Sequence, residues 1–241
     1  GSLSARGRAK WTPCRLLPGA VTLLVVLDQH AVFFSPFGNE KSRLLELIDG
    51  TQRGLRAESG RREEILQAFE ALERCNPTGM PLASPLLEGE WELLWTTSES
   101  ILGANRPFFL RPRQDSPILQ YLNPSKGFAR NLEDTPISRN SVEAEIVPLV
   151  IESRPRFADR IATYLPYRCP GGPQGEAFLE RSAVGVQFRS FSLFGGLISV
   201  PAPEQASGVL EITYLDDSLR LSRGDKGNLF VLRKLAAERT E

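Results

Sequence analysis

Apolar and polar residues alternate through Leu87-Glu88-Gly89-Glu90-Trp91-Glu92-Leu93-Leu94-Trp95-Thr96-Thr97. A period of two is that of a β-strand with one buried face. It predicts Trp91, Leu93, Trp95 and Thr97 on one side, and Glu90, Glu92, Leu94 and Thr96 on the other. Two tryptophans on one face carry a large apolar area. Gly89, just ahead of the strand, lets the backbone pass close to a neighbour.

Shorter runs of the same kind follow at 118–122, 127–132, 141–151, 157–165, 183–189, 208–215, 219–223 and 228–233. Val184, Val186 and Phe188 share one face of their run, and Leu210, Ile212 and Tyr214 share one face of theirs. Asp216-Asp217 and Gly224-Asp225-Lys226-Gly227 turn the chain between the last runs. Short strands separated by turns make a meander, consistent with an up-and-down antiparallel β-barrel. Ahead of them lie two helical periods. One covers 39–53, with Leu44, Leu45, Leu47 and Ile48 as its stripe; the other covers 61–74, with Ile65, Leu66, Phe69 and Leu72. Ser59 or Gly60 can cap the second, and Asn76-Pro77 ends it. This predicts a mainly β chain: an arm at 1–40, a helical hairpin at 41–78 and a barrel at 85–235. The hairpin is either a lid over the barrel mouth or a pair packed on its outside. Three loops stand out. The stretch 98–116 is rich in Pro and Arg around Phe108-Phe109-Leu110, which suits a covering element. Residues 167–175 are rich in Pro and Gly, and 191–203 form an apolar excursion that suits a flap.

Composition narrows the chemistry. Lys plus Arg and Asp plus Glu both number 29, so the chain has no net charge and no basic case for nucleic acid. Three dispersed cysteines, Cys14, Cys75 and Cys169, suit a reducing compartment rather than a disulfide scaffold. His30 is the sole histidine, which excludes two-histidine metal sites. A Ser-His-Asp triad would need that residue, which lies outside the β pattern. Asp216-Asp217 reads as turn chemistry, not a cation site, and no metal is expected. Residues 1–27 hold Arg6, Arg8, Lys10 and Arg15 but no acid, as in an organelle-targeting segment or its remnant. The apolar pieces after it are too short to span a membrane as a helix. Leu23, Leu24, Val26, Phe33, Phe34 and Phe37 are candidates for a docking arm.

Gly89-Glu90-Trp91 opening the first strand is similar to the start of lipocalin-like barrels. The chain also resembles the plastid lipid-associated proteins, or plastid fibrillins. The likeness runs through Lys41–Ile48 with Thr51-Gln52-Arg53-Gly54, then Leu72-Glu73-Arg74-Cys75-Asn76-Pro77-Thr78, then Leu87–Ser98 and Ile118-Leu119-Gln120. It closes with Tyr214–Asp225 and Leu229–Leu232. Trp95 stands where the family commonly has Tyr, and residues 1–40 and the loops at 108–113 and 167–175 depart from its pattern.

The resemblance implies a lipocalin-like barrel inside plastids, at the thylakoid or at plastoglobules, linked to carotenoids, quinones and other prenyl lipids. A small barrel holds one ligand or is filled by its own side chains. The candidate lining is Trp91, Leu93, Trp95, Val184, Val186, Phe188, Leu210, Ile212 and Tyr214. Gln120, Asn131 or the Tyr214 hydroxyl would orient a polar end. Arg220 or Arg223 would stack on Trp91 and seal the base; their parity allows only one of them to point inward. The expectation is a non-enzymatic protein with no catalytic cofactor, carrying a carotenoid, chlorophyll, quinone or other lipid. The alternatives are an accessory subunit docked by its arm on a membrane surface or photosynthetic complex such as a photosystem assembly, and an enzyme acting on a prenyl lipid.

Overall fold

The computed structural model of the 241-residue chain describes residues 36–148 and 181–236. The expected strand at 157–165, the loop at 167–175 and the arm residues Leu23, Leu24, Val26, Phe33 and Phe34 lie outside the described residues, while Phe37 falls in the first helix.

Helix α1 spans Pro36–Ile48 and α2 spans Ser59–Glu73. The first ends five residues before the expected 53, because Gly50, Gln52, Arg53 and Gly54 all take left-handed φ. Thr51 closes it, its hydroxyl donating to the Ile48 carbonyl at 2.6 Å. The second starts at Ser59 itself, with extended Glu58 ahead of it. Gly54 lies so close to the next layer that a Cβ there would sit 2.6 Å from the Thr96 carbonyl oxygen.

Nine strands follow among the described residues: β1 Gly89–Thr96, β2 Leu119–Asn123, β3 Phe128–Asp134, β4 Arg139–Pro148, β5 Ala183–Leu193, β6 Ile198–Pro201, β7 Ser207–Leu215, β8 Leu219–Gly224 and β9 Leu229–Lys234. They form one antiparallel sheet in the order β4-β3-β2-β1-β9-β8-β7-β5-β6. A further pairing of β4 with β5 closes eight of them into a barrel and leaves β6 attached to β5 alone. Neighbours in space are neighbours in sequence except where β9 returns to β1 and where β6 is bypassed. This is the up-and-down barrel that the alternation predicts, lipocalin-like as the resemblance implies.

Two β-bulges decide which core each side chain joins. The β1–β9 register shifts between Leu93 and Trp95, and the β7–β8 register shifts between Ile212 and Tyr214. An extra residue reverses the alternation beyond it. Trp91, Leu93, Ile212 and Leu215 therefore join the barrel interior. Trp95 and Tyr214 join a second core with Leu44, Ile48, Ile65, Phe69 and Leu72 of the helices and with Leu219, Leu221, Leu229 and Val231 of β8 and β9. The expectation that Trp95 shares the face of Trp91, and Tyr214 that of Ile212, is corrected here by those bulges. The hairpin packs on the barrel's outside, against the face carrying Trp95.

Polar bonds fix that docking. Arg223 of β8 reaches α2 and donates from Nε and Nη2 to the two carboxylate oxygens of Glu73, at 2.7 and 2.6 Å. Both side chains are buried, and Arg223 also lies 5.5 Å from the Phe69 ring centre. Asn76 and Thr78 bond the backbone of Leu215: the Leu215 amide donates to Asn76 Oδ1 at 3.0 Å, and the Thr78 hydroxyl donates to the Leu215 carbonyl at 2.6 Å. Lys41 Nζ donates to Asp216 Oδ2 at 2.5 Å, and the Tyr214 hydroxyl donates to the same oxygen at 2.7 Å. Burial pushes the Asp216 carboxyl up, but the bonds from Lys41, Tyr214 and the Ser218 and Leu219 amides outweigh it and hold it below its usual value.

Two predictions follow from this docking. Glu73→Ala leaves the Arg223 charge buried and costs about 3–5 kcal/mol in urea unfolding, whereas Glu73→Met with Arg223→Met recovers most of that loss. Asp216, with its depressed pKa, contributes stability above the ordinary carboxylate value of 3.8 that is lost as pH falls through its folded value. Asp216→Asn removes that acid limb from a pH series of unfolding curves.

Candidate functional site

Strands of a closed barrel send every second side chain inward. The inward set includes Trp91 and Leu93 of β1, Leu122 of β2, Ala129 of β3, Ala144 and Ile146 of β4, Val186 and Phe188 of β5, Ile212 and Leu215 of β7, and Phe230 and Leu232 of β9. Val184 and Leu210 face each other across β5 and β7 on the same side, in register with Val186. Of the nine expected lining residues the structure thus brings together Trp91, Leu93, Val184, Val186, Phe188, Leu210 and Ile212, and it turns Trp95 and Tyr214 to the helices. Leu122, Ala129, Ala144, Ile146, Leu215, Phe230 and Leu232 were missed, although period-two alternation in β2–β4 and β9 carries the signal.

The closed end is built on Trp91. Its indole Nε1 donates to the Leu87 carbonyl at 3.0 Å, in a 3-10 turn that runs into β1. Gly89 starts the strand with φ of +124°, which a side chain would strain. Lys234 Nζ lies 5.4 Å from the Trp91 ring centre and donates to the Leu86 carbonyl at 2.6 Å. Burial lowers the Lys234 pKa, with Glu88 opposing. Arg220 is the inward arginine of β8, and its guanidinium carbon sits 4.8 Å from the Trp91 ring centre.

Arg220 is 1% exposed, and its surroundings are mostly apolar. Nη2 donates to Gln120 Oε1, and Gln120 Nε2 donates to Asn131 Oδ1 at 2.9 Å. Among the described residues, Nε and Nη1 of Arg220 have no hydrogen-bond partner. Burial alone pulls the guanidinium down to about 9 from its ordinary 12.5. A buried cation with two idle donors is a strong site for an acceptor atom.

The opposite end is the mouth. Inward Phe188 and Phe230 are only half-buried, so the interior meets solvent there. The 98–116 stretch crosses this end. Its short helix, α3 (Glu99–Leu102), places Ile101 against the interior cluster. Arg106 Nη1 donates to Glu133 Oε1 at 2.6 Å, and Arg53 donates to the carbonyls of Arg113 and Ser116 at 2.7 and 3.1 Å. The tight turn after α1 therefore holds the covering loop. A polar cleft beside it, lined by Arg113, Asp115, Ser116, Asp134, Thr135, Ser138 and Arg139, is spanned by ion pairs and offers no apolar wall.

The PAP_fibrillin family model matches residues 39–153 and 196–233. The probable plastid-lipid-associated protein 5 of Arabidopsis thaliana is 34% identical over 196 residues, 81% of this chain and 68% of the relative. The chromoplast-specific carotenoid-associated protein of Cucumis sativus is 30% identical over 232 residues, 80% of this chain and 67% of the relative. Plastoglobulin-1 of Pisum sativum is 28% identical over 217 residues, 80% of this chain and 60% of the relative. No solved structure matches the chain. The relatives are chloroplast and chromoplast proteins, and the location is the plastid. With the Trp91 strand and nearly all of the helical hairpin and of the closing β8–β9 hairpin inside the matched segments, the chain belongs to the PAP_fibrillin family, the plastid lipid-associated proteins.

Proposed function

We propose that the protein is a non-enzymatic carrier or store for an isoprenoid lipid or pigment held inside the barrel. The observation that carries this reading is Arg220, buried in an apolar interior with Nε and Nη1 idle. The tail of the ligand lies along Phe188, Val186, Leu93 and Phe230. Its transfer from water is favourable by about 25 cal/mol per Å² of apolar area, before ordering costs. A carbonyl or carboxylate at its polar end accepts from Arg220, beside Gln120. Quinones, oxygenated carotenoids and fatty acids all carry such an acceptor. The cucumber relative is named for carotenoid association and the pea relative as a plastoglobulin, which supports a lipid cargo and a lipid-rich setting.

The interior offers positioning rather than chemistry. Arg220 is a hydrogen-bond donor and Gln120 and Asn131 are neutral, so none of these three serves as a nucleophile or a general base near neutral pH.

Arg220→Met tests this. Decylubiquinone added to the wild-type protein quenches tryptophan emission, because Trp91 lies under Arg220. In the variant its affinity falls about 10- to 100-fold, the worth of a hydrogen bond to a charged group. Stability is unchanged or rises by about 1–4 kcal/mol, since a buried cation without a counter-ion has been removed. Equal affinity in both proteins places the polar end elsewhere. Organic extraction of the natively purified protein, scanned for carotenoid, chlorophyll and quinone absorbance, identifies the cargo.

A further inference from the structure

β5 is longer than the barrel needs. Its first half, from Ala183 to Gln187, pairs with β7. Its second half, from Ser190 to Leu193, pairs with β6, while β4 flanks the other side as far as the Ser141–Ser192 pair. The β5–β6 hairpin therefore extends one wall beyond the mouth. Register sets Phe191 opposite Val200 and Leu193 opposite Ile198. A shift between Glu143 and Ala144 brings Phe191 onto the face of Phe188, and the two rings stack 6.3 Å apart. The apolar interior thus continues without a break onto the inner face of the hairpin. At the tip Phe194 is 42% and Leu197 87% exposed.

The exposed apolar side chains are segregated. Ten large ones are exposed among the described residues, and eight lie at the mouth: five on the hairpin, Phe108 and Phe109 on the covering loop, and Ile137 in the β3–β4 turn. Strand directions put all three elements at one end. Scattered exposed apolar residues need no explanation, but a collar of them around an opening marks a contact surface.

We propose that this collar docks on the surface of a lipid assembly, with the hairpin tip immersed among the acyl chains. The proposal deepens the lipid-association reading above and rests on it for the use of the surface. Three observations select lipid as the occupant. From Ser190 to Pro203 no residue is charged. The tip bonds within itself: Leu197 N donates to the Phe194 carbonyl at 3.3 Å, and the Ser192 and Ser199 hydroxyls bond each other at 3.3 Å. Groups so satisfied leave water at low cost. Arg106 pairs with Glu133, Arg113 with Asp115, Arg139 with Asp134 and Arg189 with Glu145, while Arg111 bonds the Arg106 and Ala104 carbonyls, so the rim presents no block of one sign to a charged protein partner. A second copy adding to β6 is disfavoured, because that edge is four residues long and ends in Pro201, with Pro203 close behind. Docked in this way, the mouth opens onto the lipid phase, and cargo passes along Phe191 and Phe188 without crossing water.

The test uses the full chain and vesicles of neutral phosphatidylcholine in a flotation gradient. Wild-type protein floats, and raising the salt until surface charges are screened leaves the floating fraction unchanged. Phe194→Ser with Leu197→Ser lowers partitioning at least tenfold. Met80→Ser, which removes an exposed apolar side chain elsewhere on the surface, does not. The double variant still binds decylubiquinone in solution, so failed docking and failed cargo binding are read separately. The proposal is overturned if the double variant floats like wild type, if flotation needs anionic lipid or low salt, or if wild type stays unfloated as a dimer that the double variant dissolves.

Discussion

Strands β1, β7, β8 and β9 each have to serve two cores. Their inner sides complete the barrel, and their outer sides receive the helical hairpin. A regular strand divides its residues strictly between two faces, so large side chains must stand at the right parity for both. Two bulges relax that requirement where it fails. They let β1 give Trp91 and Leu93 to the interior and still give Trp95 to the helices. β7 divides Ile212 and Leu215 from Tyr214 in the same way. Nearly every other contact in the molecule depends on this division. Gly54 packs against the outward half of β1, and Asn76 and Thr78 meet the backbone of Leu215 just past the β7 bulge.

The two arginines of β8 show what the division means electrostatically. Arg223 faces the helices and meets a carboxylate in a two-point bond, which stabilises its charge out of water. Arg220, three residues earlier and on the opposite face, meets an indole ring and one amide oxygen. Similar burial with unequal compensation sets these two cations apart. The barrel bears the cost of Arg220 because the outer core, with Phe69, Leu72, Leu221 and Val231 all fully buried, is strong without it.

Much of this was legible in the sequence, since strand periodicity is local. The meander, the turns at Asp216 and Gly224, the helix pair and the opposite parity of Arg220 and Arg223 all follow from spacing. What spacing could not carry were events that insert one residue. Leu94 and Thr213 look like ordinary strand residues, and a bulge is chosen by the partner strand and by the layer it packs on. The length of β5 was hidden for a related reason. Residues 191–203 are apolar yet exposed, so burial logic could not place them, and only pairing with β4 and β6 made them a wall. The role of Asn76 was half visible: its sequence marks the end of a helix, but its bond to Leu215 spans 139 residues.

The seam between β1 and β9 carries a kinetic consequence. It joins the first strand of the barrel to the last, with Trp91 beside Lys234, so the ring cannot shut until nearly the whole domain is available. Closure of so long a loop is slow compared with hairpin formation, and until it happens β1 presents a bare hydrogen-bonding edge and an uncovered tryptophan. The helical hairpin precedes β1 in the chain and can fold from local contacts. It stands beside that edge from the outset, screening the Trp95 side of an unfinished cylinder while the remaining strands arrive.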